Sequence, residues 1–167
     1  MARSLRVAAT ASTSGGWFMR AVVQRVSQAD VTVDGARVAA IDEGMLVYLG
    51  VAAGDDEKDA AYLAEKTCHL RVFPDAEGRL NLDVLQAGGK ALVVSAFTVQ
   101  ADARKGRRPT LEGAAAPEPA AELYERFCRA LRELGLAVEQ GRFRATMNVR
   151  SVNAGPVCML LDSKKTF

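Results

Sequence analysis

The chain has 167 residues, 49% of them hydrophobic and 25% charged, and a net charge of +2. Those proportions exclude a disordered, collagen-like or low-complexity chain, and the length suits one domain with at most a short extension. A charge this small does not announce a nucleic-acid binder, and the longest apolar run, the nine residues Met45 to Ala53, is far below the ~18 of a membrane span.

Residues 1–18 stand apart from the rest. They hold Arg3 and Arg6, no acid, and a Ser/Thr/Ala/Gly-rich stretch from Ala8 to Gly16. They lack the apolar core of a secretory signal, and their composition is weakly like a mitochondrial presequence. The preferred reading is an N-terminal extension with no targeting role, or an upstream start with Met19 as the working initiator. The folded domain is expected over residues 19–167.

Arg20–Val26 opens with β-branched residues and is expected as a strand. Ala29–Val33 and Arg37–Ile41 alternate on either side of Asp34-Gly35, which predicts a hairpin. Met45–Val51 is apolar throughout, so both its faces are expected to be covered. Three acids, Asp55-Asp56-Glu57, precede a helical pattern in which Ala60, Leu63, Ala64, Thr67 and Cys68 share one face. Leu70–Phe73 is expected as a short strand, Pro74–Gly78 as a turn and Asn81–Val84 as a short edge strand. Ala91–Ser95 is the second strongly apolar strand. An irregular stretch, Gln100 to Pro119, follows with Gly106, Pro109, Gly113, Pro117 and Pro119; a loop this long is usually functional or mobile. A helix is predicted over Pro119–Leu134 with Leu123, Phe127, Ala130, Leu131 and Leu134 as its stripe, stopped by Gly135. Strands are expected at Leu136–Glu139, Thr146–Val152 and Pro156–Leu161. The order predicts an α+β class: a single domain of layered, mostly antiparallel β-sheets, barrel-like, with two main helices packed on one side.

The chemistry the residues advertise is sparse. Cys68, Cys128 and Cys158 are odd in number and far apart, unlike a disulfide framework or zinc site, so a reducing, cytoplasmic compartment and no metal are expected. His69 is the only histidine, which weakens any Ser-His-Asp reading. Phosphate-loop, dinucleotide and nucleophile-elbow signatures are absent. Arg104-Lys105-Gly106-Arg107-Arg108 puts four cations in five residues, either a solvated loop or a phosphate contact. It belongs to a basic C-terminal part: residues 100–167 hold 12 Lys/Arg against 8 Asp/Glu, residues 1–99 hold 10 against 12. Two small motifs remain: Ser95-Ala96-Phe97-Thr98, where a buried strand ends, and Asn153-Ala154-Gly155-Pro156-Val157-Cys158, between two expected strands. Taken alone, the first can merely satisfy nearby backbone and the second can be a turn, although free N–H groups at a strand end also suit a developing oxyanion.

From Met19 to Leu161 the chain resembles the D-aminoacyl-tRNA deacylase family. The resemblance is carried by Met19-Arg-Ala-Val-Val-Gln-Arg-Val26, Gly50-Val51, Phe73-Pro-Asp-Ala-Glu-Gly78, Asn81-Leu82, Gln86-Ala-Gly-Gly89, Val93-Val-Ser-Ala-Phe-Thr98 and Asn153-Ala-Gly-Pro-Val157. Two positions depart from the family pattern: Ala96 stands where Gln is usual, and Cys158 where Thr is usual.

What the resemblance implies is hydrolysis of the ester joining a D-amino acid, or mischarged glycine, to the terminal adenosine of tRNA. The enzyme would be a homodimer without cofactor or metal and without a membrane partner. Ser95, Phe97 and Thr98 are the implied catalytic segment, with the Phe97 and Thr98 N–H groups facing the ester carbonyl and Thr98 Oγ1 placed to position water. Gly155-Pro156, as a cis pair, would reach into the other subunit's site. Asn153, Val157 and Met147 join that pair among the residues that bind substrate and reject L-amino acids. Arg104, Lys105, Arg107 and Arg108 would meet tRNA phosphates. The other readings are a non-catalytic tRNA- or RNA-binding dimer of the same fold, which the Ala96 departure keeps open, and a small-molecule esterase using Cys158 or Ser95.

Overall fold

The computed structural model describes residues 16–167; the expected extension over residues 1–18 falls mostly outside them. Its elements are β1 (Arg20–Val33), β2 (Ala36–Ile41), β3 (Gly44–Gly50), α1 (Glu57–Cys68), β4 (Phe73–Pro74), β5 (Leu80–Leu82), β6 (Lys90–Ser95), α2 (Pro117–Glu133), β7 (Val138–Gln140) and β8 (Asn148–Asp162), with one 3-10 helix at Phe97–Gln100.

β1 organises the main sheet. Its first half pairs antiparallel with β3, from Arg20–Gly50 to Val26–Gly44, and its second half with β2, from Ala29–Ile41 to Val33–Ala36. Asp34 and Gly35 join β1 to β2, both at positive φ, as a two-residue hairpin turn demands. β8 runs along the other side of β1 for its whole length, with register shifts around Val26. Such bulges bend a strand, and the bend carries β1 from one core to the other. Ala21 and Val23 pack in the core under the helices, whereas Val26, Ala29, Val31 and Val33 pack in a second core. β6 joins β3 in parallel, and β7 joins β6 in parallel. The curled sheet is nearly closed and barrel-like, as expected, and mostly antiparallel.

The apolar strands are covered on both faces for a visible reason. Met45, Val47 and Leu49 of β3 and Ala91 and Val93 of β6 meet the helices, while Leu46, Leu92 and Val94 on the opposite face meet β1 and β2 side chains. Leu63 and Ala64 of α1 and Phe127 and Leu131 of α2 pack on that same helical side. α1 begins in a capping box, Asp56 accepting from the Asp59 N–H while the Asp59 carboxylate accepts from the Asp56 N–H. α2 begins at Pro117, two residues earlier than expected; Pro suits the first helical turn because its missing N–H has no partner there anyway. No helix among the described residues is long and apolar enough to cross a membrane.

Several expected boundaries differ. The segments 20–26 and 29–33 are one strand, and so are the two expected around Asn153–Cys158, because β1 and β8 pair continuously. The motif Asn153–Cys158 therefore lies inside β8 rather than between strands. Leu70–Val72 is irregular, and only Phe73–Pro74 pairs, with β5. The stretch 101–116 is irregular as expected, yet it is tied down by bridges between Ala52 and Ala114 and between Asp102 and Thr110.

Candidate functional site

Because β3 and β6 are parallel and in register, from Gly44–Lys90 to Leu49–Ser95, their C-terminal ends open on the same edge of the sheet. There a cleft of about 420 Å³ is lined by Leu49, Ser95, Ala96, Phe97, Tyr124, Phe143, Thr146 and Met147, among others. Its lining is mostly apolar and contains no His, Cys, Asp or Glu. The Tyr124 hydroxyl donates to Val93 O at 2.8 Å, and burial pushes its pKa far up, so it stays a neutral phenol.

Past Ser95 the chain makes one turn of 3-10 helix. Ala96 N donates to Leu49 O at 2.9 Å, Val99 N to Ala96 O at 3.1 Å and Ala101 N to Thr98 O at 3.0 Å. The Phe97 and Thr98 N–H groups are the leading donors of this turn. Ala96 caps neither with its side chain, and no acceptor meets them among the described residues. Both residues are exposed, Phe97 by 62%. Gly50 lies beneath the turn, where a Cβ would come within 2.9 Å of Val99 Cβ and 3.2 Å of Ala96 O; only glycine lets the turn sit this close to the end of β3.

The Gly155–Pro156 peptide is cis, and both residues are exposed. Around this apex, Val157 N donates to Asn153 Oδ1 at 2.9 Å. Arg25 Nε donates to Ala154 O at 2.8 Å, and Arg25 Nη1 to Val72 O at 2.6 Å. Asn153 lies opposite Val26, itself opposite Gly44, so the apex sits beside the start of β3. Ser95 sits beside its end, opposite Leu49. Five residues of strand separate those levels, roughly 16 Å. Ser95, Phe97 and Met147 thus come together at the cleft with Thr98 next to them, and Asn153, Gly155, Pro156 and Val157 come together elsewhere. Within one chain the two groups do not meet.

The basic loop is exposed throughout. Arg104 forks onto Asp102, with Nε to Oδ1 at 2.9 Å and Nη2 to Oδ2 at 2.7 Å, and its guanidinium holds the Asp102 carboxyl down at about 2. Lys105, Arg107 and Arg108 have no ion-pair partner among the described residues.

The remaining nucleophile candidates fall away from the cleft. His69 pairs with Asp83, Nδ1 to Oδ2 3.0 Å, beyond the end of α1. Burial pushes the Cys68 thiol up to about 11 and the Cys128 thiol up to about 12, so neither supplies a thiolate. Cys158 is exposed on β8 and does not line the cleft. Two contributors escaped the sequence reading, Arg25 and Gln100. For Arg25 a signal existed: Gln24-Arg25 breaks the strand's alternation where the bulge forms. Gln100 gave none, as a polar residue in an expected loop.

The family profile described as D-Tyr-tRNA(Tyr) deacylase matches residues 22–162. The chain is 57% identical over 149 residues to the D-aminoacyl-tRNA deacylase of Anaeromyxobacter dehalogenans, 89% of this chain and 100% of that one. It is 56% identical over 150 residues to that of Symbiobacterium thermophilum, covering 90% and 99%. Among solved structures it is similar to the c-Myc DNA unwinding element binding protein, with TM-score 0.81, 37% identity and 85% and 97% coverage. A structure described as a probable eukaryotic D-amino acid tRNA deacylase shares the fold, with TM-score 0.74, 19% identity and 86% and 98% coverage. The chain belongs to the D-Tyr-tRNA(Tyr) deacylase family.

Proposed function

We propose that the protein hydrolyses the ester of D-aminoacyl-tRNA, and of glycyl-tRNA, using backbone amides as its principal catalytic groups. The observation that carries this is the pair of unpaired N–H groups at Phe97 and Thr98, at the mouth of a mostly apolar cleft whose lining holds no His, Cys, Asp or Glu, in a chain of this family. An aminoacyl ester is already activated, so orientation and oxyanion stabilisation suffice. The apolar cleft, with Phe97, Phe143 and Met147 in its wall, suits stacking of the terminal nucleoside. Water attacks the carbonyl carbon, the Phe97 and Thr98 amides hold the resulting oxyanion, and the ester bond to the ribose breaks with the proton passing to the ribose oxygen. Thr98 Oγ1 and Ser95 orient water; no histidine stands by to make either a nucleophile. The terminal 2′-hydroxyl takes the part of the missing side-chain base.

Chirality is enforced by exclusion rather than by fit, since one pocket cannot match many side chains. The Gly155–Pro156 apex, steadied by Arg25 and the Asn153 side chain, enters the cleft of a second copy and leaves room for a D side chain or for glycine. Exposed Val152 and Leu160 on either side of the apex suit burial in such a homodimer. Arg104, Lys105, Arg107 and Arg108 neutralise acceptor-stem phosphates without reading sequence. Ala96, in the cleft wall where the family usually has Gln, favours a second reading, a non-catalytic RNA-binding dimer. Incubation with D-, L- and glycyl-tRNA decides between them: D and glycyl esters lost and the L ester intact supports the enzyme, whereas binding without ester loss supports the second reading.

A further inference from the structure

One buried side chain ties down the turn bearing the two amides. Gln100 closes the 3-10 helix and is 0% exposed. Its Nε2 donates twice, to Gly50 O and to Phe18 O, each at 2.8 Å. Its Oε1 is buried with no hydrogen-bond partner among the described residues. The opposite amide orientation would set an oxygen against two carbonyl oxygens, so both amide hydrogens are committed. Packing alone does not call for glutamine here, because an apolar side chain of equal length would fill the space without an orphaned acceptor.

The acceptors show what the side chain accomplishes. Gly50 is the last residue of β3, and Leu49 just before it accepts the Ala96 N–H. The turn is therefore fastened to the end of β3 twice, at its start by Ala96 and at its end by Gln100. Phe97 and Thr98 lie between the fastenings, and their own N–H groups have no protein acceptor to orient them. Phe18, the second acceptor, leads directly into Met19 and β1, so the incoming chain closes on the same amide.

We propose that Gln100 is a positioning residue for the reaction: by holding Gly50 and Phe18 it sets the direction in which the Phe97 and Thr98 N–H groups meet the ester carbonyl. This rests on the amide-based function proposed above. Oxyanion donors act through geometry, and small displacements of such groups lower the rate without weakening substrate binding.

Gln100→Met keeps the length and loses both donors. With D-aminoacyl-tRNA, kcat should fall about 10–100-fold while KM stays within about two-fold. Deleting residues 1–18 removes Phe18 O; kcat should fall a few-fold in the native background and no further in Gln100→Met, because that variant already lacks the bond to Phe18 O. A chain beginning at Trp17 keeps Phe18 and should match the full chain. Should Gln100→Met not fold, the comparison of chains beginning at Trp17 and at Met19 carries the test by itself. A kcat within two-fold of native for Gln100→Met, a loss confined to KM, additive effects of the two changes, or equal rates for the two shortened chains would overturn the proposal. Amide NMR gives a readout independent of turnover: the Phe97 and Thr98 resonances should move in Gln100→Met while those of α1 stay, and unmoved resonances would also overturn it. A native chain that leaves the D ester intact would instead refute the proposed function, and the resonances then decide the part of Gln100 alone.

Discussion

At the C-terminal end of β3, the 97–100 turn that follows β6 is fastened to this neighbouring strand by Ala96, Gln100 and the missing side chain of Gly50. At the other end of β3, the Gly155–Pro156 apex stands exposed, held from behind by Arg25 and Asn153. The first region is complete within one chain: Phe97 lines an open cleft, Thr98 follows it, and neither N–H has an acceptor among the described residues. The second faces no cleft of its own. Under the proposed function the difference would divide the work: acceleration would lie within one protomer, and discrimination between mirror-image substrates would need a second copy. Variants at the turn should therefore change rate without selectivity, and variants at the apex selectivity more than rate.

The largest effect is expected at the turn. Thr98→Pro deletes one oxyanion donor in the first turn of the 3-10 helix, where the N–H has no acceptor in the protein to lose, and single-turnover hydrolysis of a D ester should slow by about 10²–10³-fold. Thr98→Ala leaves the amide and should keep most of the activity; equal losses in the two would assign catalysis to the hydroxyl instead. Next comes the apex. A Cβ added at Gly155 would lie 2.9 Å from Arg25 Nη2 and 2.9 Å from Val157 Cγ2, at φ +140. Gly155→Ala should raise cleavage of an L ester by roughly 10-fold or more relative to a D ester, a difference of at least ~1.4 kcal/mol in transition-state selection. Retained L-rejection would remove the apex from the scheme.

Smaller effects are expected from the basic loop. Replacing Lys105, Arg107 or Arg108 with Ala should each lower the salt slope of tRNA affinity by about 1, leaving kcat unchanged at saturation. Arg104→Ala should lower it less, because Asp102 already neutralises that guanidinium. A binding constant indifferent to salt in the native chain would detach the loop from the acceptor stem.

The smallest effect is on stability. Asp55 accepts from the Met19 and Ala52 N–H groups at 2.9 and 2.6 Å, yet burial pushes its carboxyl up from 3.8 to about 6. A carboxyl whose folded pKa is raised binds its proton more tightly when folded, so its contribution falls as pH rises from about 4 to about 6. Asp59, Asp83 and Asp162 are lowered and act oppositely, their stabilisation being lost as pH falls. The clean observable is therefore the difference between native and Asp55→Asn chains in denaturant unfolding. Screened as this half-buried group is, the native chain should lose about 1 kcal/mol against the variant across that window. A difference independent of pH would deny the shift.

The apolar strands were legible because runs such as Met45–Val51 admit no solvent-facing side, and the structure puts helices on one face and barrel interior on the other. Both helices were legible from their stripes, and the Asp34-Gly35 turn from its two positive-φ residues. The continuity of β1 and β8 was not, because pairing partners 100 or more residues apart leave no local trace, and the polar pair Ser27-Gln28 looked like a break between two strands where one strand runs on past a register shift. At the site, the two motifs stood out as short segments at strand ends, and only the resemblance gave their residues roles. A 3-10 turn of four residues is too short to show a period. Backbone donors carry no side-chain signature at all, and Gln100 became visible only with its two acceptors.

The measurement that reaches furthest into the mechanism compares D-aminoacyl-tRNA ending in adenosine with the same 3′-ester on a terminal 2′-deoxyadenosine, in single turnover with the native chain. With no His, Cys, Asp or Glu in the cleft wall and Arg144 its one charged side chain, a guanidinium that stays protonated and cannot take a proton from water, the 2′-hydroxyl has to help the water, and the deoxy substrate should be cleaved about 10²-fold more slowly or worse while still binding. Equal rates on the two substrates would mean that a group of the protein activates the water, and would contradict catalysis by the two backbone amides and the substrate itself.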